Sequence, residues 1–327
     1  MTKNICISGY YGFDNFGDEI ILKILVENIK DNNITVFSSN PNKTKQELNV
    51  NSVHSFNIKE IIKSIAKCDY LISGGGSLLQ DVTSKKSLIY YLCIIALAQL
   101  FRKKTIIFAQ GLGPINNKNL AKLTSFILKR MNNITVRDNK SIELLKSWGI
   151  NATKCSDPAW NIETSPQNNG KIGVQLRDFP SLTEEFISQL ATNLNSIYKD
   201  KEILIYSLQN KLDLEVCNKL KSKLNNAKVI KNTSNEALIE SLSNLDTLIA
   251  MRFHACLIAI KSGVKLLPIN YDIKVEQLAK EFDLNCLSLE YLSLNKEILE
   301  KFSQDKIYYD EEKIKNLNFD FKTLLTF

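Results

Sequence analysis

Histidine is scarce in this 327-residue sequence, which contains only His54 and His254. Two histidines so far apart argue against a histidine-rich zinc site, and no His, Cys or Asp residues show the spacing of metal ligands. We therefore expect no metal. The G-x-S-x-G pattern that exposes a nucleophilic serine in α/β-hydrolases is also missing.

Cysteine provides no disulfide framework, because the seven cysteines are odd in number and none forms a C-x-x-C pair. This usage predicts buried, reduced thiols in a cytoplasmic protein. The longest apolar run, residues 88–101, is interrupted by Gln99 and is shorter than the ~20 residues that span a bilayer. It predicts a buried helix. The first residues lack the apolar core of a signal peptide.

The charge balance is mildly basic, with 42 Lys and Arg residues against 35 Asp and Glu residues and a net charge of +7. Because the lysines are spread along the chain, we expect weak attraction to anionic ligands and peripheral contact with a membrane surface. No nucleic-acid-binding motif is present, so we expect no nucleic acid partner.

The first half of the sequence alternates short apolar runs with amphipathic segments, as parallel β-α-β units do. Predicted strands are 4–8, 34–37, 70–73, 105–109 and 134–136. Predicted helices are 18–30, 87–102, 118–130 and 139–148, the last closed by Gly149. His54 lies in a stretch with little pattern and is interpreted as an ordinary surface residue.

A polar stretch, residues 161–170, contains Pro and Gly and reads as a linker. The alternation then restarts with predicted strands 171–176, 202–207, 228–230, 247–250 and 265–269. The sequence therefore predicts an α/β fold of two Rossmann-like, doubly wound domains, residues 1–165 and 166–327, the second with a helical tail. A cleft between two such domains is the expected active site.

The loop after the first strand is unusual. In "GYYGFDNFGDEIIL", residues 9–22, the glycines do not form the G-x-G-x-x-G of dinucleotide-binding proteins, and no G-K-[ST] follows. Two acids, Asp18 and Glu19, stand where a phosphate-binding loop would avoid negative charge.

Other candidate ligand residues follow later strands, where parallel sheets bind their ligands. Gly74, Gly75 and Gly76, with Ser77, would let backbone amides approach an anion or a sugar. Gln110 could hydrogen-bond a hydroxyl-bearing ligand. Arg137 ends the fifth predicted strand, where an ion pair with the neighbouring acid is the structural alternative.

In the second half, His254 follows the fourth strand and begins an apolar helix, whose amino end favours bound anions. A purely helix-capping histidine is the alternative at this position. Arg252 could add a charge or brace its own loop. Lys274 follows the next strand, and its place one β-α unit after His254 favours a shared role.

Together these stretches resemble the polysaccharide pyruvyl transferases, most closely those of the CsaB type. The resemblance runs from residue 9 to about 275, in the family's order. It is carried by "GYYGFDNFGDEIIL", "SGGGSLLQD", "SKKSLIYYLCIIALA", "FAQGLGPI", "VRD", "SDPA", "MRFHA" and "YDIKV". Asp14 stands where the family often has glycine, and Phe253 where leucine is common.

The resemblance implies a fold like that of the two-domain glycosyltransferases of GT-B type. It implies transfer of a pyruvyl group from phosphoenolpyruvate to a sugar as a cyclic ketal, without a cofactor. The acceptor implied for the CsaB type is N-acetylmannosamine in a lipid-linked precursor of secondary cell-wall polysaccharide. This acceptor, or a polymeric one, would be met at the inner face of the plasma membrane.

The resemblance also implies roles for residues. Arg137, His254 and Lys274 would form the phosphoenolpyruvate site, largely in the second domain, while Asp18 and Glu19 would face the sugar hydroxyls. Asp18, Glu19 and His254 are the candidate catalytic residues. The candidate substrate-binding residues are Arg137, Lys274, Arg252, Gly12, Asn15, Gly74, Gly75, Gly76, Ser77 and Gln110.

Two other functions fit the sequence. A GT-B glycosyltransferase that uses a nucleotide sugar would share the architecture. A non-catalytic protein that binds anions or polysaccharide would bind ligand without turnover. Acids near a set of cations favour an enzyme over a binding protein.

Overall fold

The computed structural model describes residues 2–290 and 292–325. These residues form two compact units, the first containing residues 2–161 with 317–325 and the second residues 162–316. Each unit is a parallel sheet whose strands alternate with helices. The predicted α/β class is therefore confirmed.

The first unit has a seven-stranded sheet in the order β3-β2-β1-β4-β5-β6-β7, with every described pair parallel. The strands are β1 (Asn4–Ser8), β2 (Asn33–Ser38), β3 (Asn51–His54), β4 (Tyr70–Ser73), β5 (Lys104–Gln110), β6 (Asn133–Val136) and β7 (Thr153–Lys154). The helices are α1 (Phe16–Asn28), α2 (Pro41–Leu48), α3 (Ile58–Lys67), α4 (Lys85–Leu100), α5 (Lys118–Leu128) and α6 (Asn139–Ser147). Short 3-10 turns occur at Pro158–Asn161 and Phe321–Thr323.

The second unit has a six-stranded sheet in the order β10-β9-β8-β11-β12-β13. The strands are β8 (Ile172–Gln175), β9 (Ile203–Ser207), β10 (Ala227–Lys231), β11 (Thr247–Ala250), β12 (Lys265–Asn270) and β13 (Leu287–Ser288). The helices are α7 (Glu184–Ile197), α8 (Asn210–Lys221), α9 (Asn235–Ser243), α10 (Phe253–Lys261), α11 (Ile273–Glu281), α12 (Leu292–Gln304) and α13 (Glu311–Asn316).

Strands in the middle of each sheet, such as β4, β8 and β11, are buried along their whole length because both faces of the sheet are covered there. In β1, Ile5 and Ile7 belong to one core and Cys6 to the core on the opposite face. The residues after 316 help cover the first of these cores, where the ring of Phe319 lies 5.1 Å from that of Phe108. This apolar contact explains why the end of the chain joins the first unit and not the second, where the sequence placed it.

A region between β2 and β4 differs from the sequence prediction. Residues 41–67 form α2, β3 and α3, none of which was predicted. Helix α2 is short and polar and buries only Thr44, while β3 is an edge strand of four residues. The elements α2 and β3 carry little apolar periodicity, which is the signal that sequence analysis uses. Helix α3 does carry it, with Ile61 and Ile65 buried, and was missed all the same. His54 ends β3 and is exposed, in agreement with its interpretation as a surface residue.

Each sheet has one point where its winding reverses, and open α/β sheets bind ligands there, beyond the carboxyl ends of the strands. In the first sheet this point lies between β1 and β4, and in the second between β8 and β11. The loops that follow these four strands contain most of the residues that the sequence singles out.

Candidate active site

The first of these loops is fastened to helix α1. The amide of Gly12 donates to Oε1 of Glu19 at 2.7 Å, and Asp14 forms an ion pair with Lys43 at 2.6 Å. Asp14 has a φ of 57°, in the left-handed region that glycine adopts without strain. We call residues 9–19 the acidic loop.

Two acids of this loop lie in the first turn of α1, whose amino end stabilises negative charge. Asp18 and Glu19 are both half-buried. Burial raises the pKa of Glu19 to about 8, and the nearby charges of Asp18 and Asp14 add to this, while the Gly12 amide and Lys43 oppose it. At neutral pH, Glu19 therefore holds a proton that it can donate.

Asn15 precedes the same helix as its N-cap residue, but its side chain does not make the capping hydrogen bond. Gly12 has a φ of 77°, and a Cβ atom there would lie 2.2 Å from Oγ of Ser38. The need for glycine at residue 12 thus follows from the fold. Contact of Gly12 and Asn15 with a substrate stays a prediction.

The three glycines after β4 make room for the acidic loop and helix α1. A Cβ atom on Gly74 would lie 1.8 Å from the Tyr11 hydroxyl, and one on Gly75 would lie 2.5 Å from Ile21. At Gly76, which has a φ of 97°, it would lie 2.5 Å from Oδ1 of Asp18. Packing alone therefore explains the triple glycine, and it brings the Asp18 carboxylate against Gly76. A binding role for Gly74, Gly75 and Gly76 stays a prediction.

Gln110 ends β5 as a fully buried side chain. Its amide nitrogen donates to Oγ of Ser73 at 2.8 Å and to the carbonyl of Gly74 at 2.6 Å. These bonds hold the glycine loop against β5. The predicted hydrogen bond from Gln110 to a hydroxyl-bearing ligand is not tested, and the structure shows the residue as a brace.

Arg137 follows β6 and forms a buried ion pair with Asp157. A second nitrogen of its guanidinium lies 3.4 Å from Oγ of Ser77, so Arg137 and Ser77 share one location. The neighbouring acid, Asp138, instead caps α6 by accepting from the Ser141 amide at 2.8 Å. Sequence reasoning missed Asp157, although it lies in the "SDPA" stretch that carries part of the family resemblance.

In the second unit, Arg252 ties the loop between β11 and α10 to helix α8 and strand β8. Its Nε and Nη2 atoms donate to the two carboxylate oxygens of Asp213, at 3.1 and 2.7 Å, and its backbone amide donates to Gln175 at 2.7 Å. Asp213 is fully buried. The structure thus gives Arg252 a bracing role between β11 and α10, and substrate binding by Arg252 stays a prediction.

This bracing role predicts a loss of stability. Arg252→Ala should lower the free energy of unfolding by ~3–5 kcal/mol, because it leaves a buried carboxylate without its partner. Denaturant unfolding of the variant measures the loss. The double variant Arg252→Ala, Asp213→Asn should recover part of it, because the remaining amide carries no charge. An Arg252→Ala variant as stable as the wild type would contradict the bracing role.

His254 lies in the first turn of α10, after Arg252, which occupies the N-cap position. The histidine is therefore not the capping residue, and its half-buried ring packs edge-on against Phe253 at 5.2 Å between centroids. The dipole of α10 makes this turn favourable for an anion. A protonated imidazole there would add a full positive charge.

Lys274 occupies the equivalent place one β-α unit later. It lies in the first turn of α11, where its backbone amide donates to the Asp272 cap at 3.0 Å. Because β11 and β12 are parallel neighbours, their carboxyl ends place the His254 and Lys274 turns at the same edge of the sheet. As the sequence predicted, the two residues therefore follow adjacent parallel strands.

Sequence reasoning missed a third cation at this edge, Arg177. It follows β8, the strand beside β11 at the reversal point, and its half-buried guanidinium lies 5.9 Å from the centre of the Tyr271 ring. Its Nε atom is buried without a hydrogen-bond partner among residues 2–290 and 292–325. The signal in the sequence was an arginine two residues beyond a buried strand. We call Arg177, His254 and Lys274 the cationic edge.

A region of known family contains Asp18 and Glu19 of the acidic loop and Arg177 and His254 of the cationic edge. A profile of polysaccharide pyruvyl transferases matches residues 15–273. The chain belongs to the polysaccharide pyruvyl transferase family. The matched region of this pyruvyl transferase includes Asp18, Glu19, Arg137 and His254, and it ends one residue before Lys274.

Solved structures establish the fold class of this pyruvyl transferase. The UDP-GlcNAc 2-epimerase of Methanocaldococcus jannaschii is 13% identical, with 94% of each chain covered and a TM-score of 0.65. That of Neisseria meningitidis, bound to UDP-GlcNAc, is 12% identical, covers 95% of this chain and 97% of its own, and has a TM-score of 0.56. Spinosyn rhamnosyltransferase SpnG with thymidine diphosphate is 8% identical, with 93% and 92% covered and a TM-score of 0.55. The predicted GT-B-like fold is therefore confirmed.

No curated protein matched the sequence. Within residues 2–290 and 292–325, no group of three or more His, Cys, Asp or Glu side chains could hold a metal ion. Over the same residues, no helix is both long enough and apolar enough to cross a bilayer.

Proposed function

We propose that this protein moves a pyruvyl group from phosphoenolpyruvate to a pair of sugar hydroxyls, forming a cyclic ketal and releasing phosphate. The observation that supports this most is the chemical contrast between its two ligand regions. The acidic loop suits a neutral polyol, and the cationic edge suits a small anion. A reaction between a sugar and a donor that carries a phosphate and a carboxylate needs both kinds of region.

The donor would be bound by the cationic edge. Phosphoenolpyruvate carries a phosphate and a carboxylate, which require fixed positive charges. Arg177 offers a planar fork that suits either group, Lys274 offers a compact charge, and the α10 amino end around His254 offers backbone amides. A donor contact by Arg137, whose guanidinium forms an ion pair with Asp157, is also part of the proposal.

The acidic loop would supply the proton transfers. Glu19 is protonated at neutral pH because its pKa is about 8, so it would give its proton to the methylene carbon of the donor. This leaves an oxocarbenium-like centre at C2. One sugar hydroxyl bonds to C2 while Asp18 accepts its proton, and the C2–O bond to phosphate breaks. The neighbouring hydroxyl then bonds to C2, and the proton it loses goes to the departing phosphate through His254.

The acceptor and its location are further parts of the proposal. We propose a CsaB-type reaction on an N-acetylmannosamine unit of a lipid-linked or polymeric cell-wall precursor, at the inner face of the plasma membrane. No resident cofactor is assigned. This part rests on the sequence stretches quoted above, such as "MRFHA" and "YDIKV".

The reaction can be tested by incubating the enzyme with phosphoenolpyruvate and candidate acceptors. The proposed function expects phosphate release that depends on the acceptor, with a product that mass spectrometry shows to have gained a pyruvyl group and lost water. A glycosyltransferase would instead release nucleotide from a nucleotide sugar. A binding protein would retain ligand and release neither product.

A further inference from the structure

Exposed apolar side chains are concentrated on one part of the first unit. Nine of the twelve exposed large hydrophobic residues in the described chain lie between residues 56 and 126. The most exposed on helices are Leu100, at 78%, Ile58, at 69%, and Phe126, at 59%. Others are Phe56, Ile62, Val82, Ile89, Phe101 and Leu123. An exposed cluster of this size indicates an interaction surface.

Three neighbouring helices contribute these side chains. Helix α4 packs beside both α3 and α5, on the side of the sheet that buries Ile61, Leu92 and Ile127. The sequence predicted residues 88–101 as a buried helix. That prediction is correct for one side of α4 but wrong for its outer side, where Ile89 and Leu100 are exposed. We call the outer sides of α3, α4 and α5 the apolar basic face.

The stretch of chain that supplies this face also contains the net positive charge of the protein. Residues 56–130 include twelve Lys and Arg but only three Asp and Glu, a net charge of +9, whereas the whole chain has +7. The rest of the chain is therefore slightly negative. One of the three acids, Asp81, is buried and accepts the amides of Asn116 and Asn117 at 2.8 Å. The lysines are spread along the sequence, but the excess of positive charge is not.

Helix α3 shows how the two properties combine. Ile58, Ile62 and Ala66 recur every four residues and are exposed, and each is followed by a lysine, Lys59, Lys63 or Lys67. Side chains four residues apart share one side of a helix. An apolar stripe beside a lysine stripe is the pattern of helices that lie in a membrane interface, where lysine stems can cover apolar surface and keep their charges at the headgroups.

We propose that the apolar basic face docks this protein on an anionic lipid bilayer. A second copy of the chain is disfavoured, because two faces with the same strong charge repel each other. A nucleic acid would use the lysines but would leave Ile58, Leu100 and Phe126 exposed. Lipid headgroups and acyl chains satisfy both the charge and the apolar side chains.

This inference deepens the proposed function and rests on it for its biological role, since a lipid-linked acceptor has to be reached at a membrane. Its physical basis is separate, because docking needs neither substrate nor turnover. Vesicle binding is therefore measured without phosphoenolpyruvate. A protein that binds vesicles but fails to release phosphate would leave the inference standing and remove the proposed reaction.

The test is co-sedimentation of the full chain with vesicles. We expect binding to vesicles of phosphatidylglycerol and phosphatidylcholine, at least tenfold weaker binding to phosphatidylcholine alone, and loss of binding at high salt. The double variant Ile58→Ser, Leu100→Ser should bind at least tenfold more weakly. The matched control is Leu212→Ser, Tyr308→Ser, which changes two exposed residues outside the apolar basic face and should bind like the wild type.

Four outcomes would overturn the inference. The first is no binding to the anionic vesicles, and the second is equal binding by both double variants. The third is formation of a dimer that only the Ile58→Ser, Leu100→Ser variant abolishes. The fourth is binding of nucleic acid in place of vesicles. Circular dichroism shows whether the variants fold, and phosphate release with a soluble acceptor shows whether they keep their activity. Both should be unchanged in the two double variants, because all four substituted side chains are exposed and lie outside the proposed catalytic residues.

Discussion

Replacement of Lys274 by methionine is expected to raise the phosphoenolpyruvate concentration at half-maximal rate by about 30-fold or more. Removing one side of a desolvated charge contact costs ~2–5 kcal/mol, and ~1.4 kcal/mol corresponds to a factor of ten. Methionine retains the apolar stem of Lys274 and removes its ammonium group. Helix α11 should still form, because its cap bonds the backbone amide of residue 274.

The matched control is Lys280→Met on the same helix. The Lys280 side chain is 74% exposed and pairs with Glu276. Its loss should change saturation by less than about twofold, since exposed ion pairs contribute only ~0–1 kcal/mol. Initial-rate measurements over a range of phosphoenolpyruvate concentrations compare the two variants. An unchanged half-maximal concentration in Lys274→Met would remove this residue from the donor site.

Lys274 makes a cleaner test than Arg137 or Arg252. Both arginines are tied to buried carboxylates, Asp157 and Asp213, so truncating either leaves a buried charge without a partner. A loss of activity in those variants would report partly on folding. Arg177→Met avoids this problem and should weaken donor saturation in the same direction as Lys274→Met.

Strand positions could be predicted well because parallel strands buried on both faces are continuous apolar runs. The predicted strands 70–73 and 247–250 match β4 and β11 residue for residue. The same argument placed the candidate residues, because the residue after a parallel strand always lies at the carboxyl edge of the sheet. Arg137, His254 and Lys274 were found in this way.

Partnerships between side chains could not be predicted. Arg252 pairs with Asp213, 39 residues away, and no local pattern marks this pair. For Arg137 the adjacent Asp138 was the natural choice, but a residue directly before a helix has to satisfy free amides, and Asp138 does so. The packing role of the triple glycine could not be predicted either. Only the folded chain shows that Tyr11, Ile21 and Asp18 occupy the space beside it.

Glu19→Gln is expected to lower the turnover number by ~10²- to 10⁴-fold, the usual contribution of a positioned acid or base. Glutamine retains the oxygen that accepts from the Gly12 amide, so the acidic loop should keep its conformation. The half-maximal donor concentration should change little, because Glu19 does not belong to the cationic edge. Asp18→Asn should also lower turnover, since it removes the proposed base.

The pH dependence separates a proton donor from a residue that only orders the loop. The pKa of Glu19 is raised from 4.5 to about 8, mainly by burial, so the folded protein keeps a proton that the unfolded chain loses above about 4.5. The donor role predicts that turnover falls as the pH rises through about 8, and that stability also falls between about 4.5 and 8. In Glu19→Gln the residual activity should lose the fall near pH 8, and this contribution to the stability profile should disappear. Full activity in Glu19→Gln, or a wild-type profile that is flat through pH 8, would contradict the assignment of Glu19 as the acid.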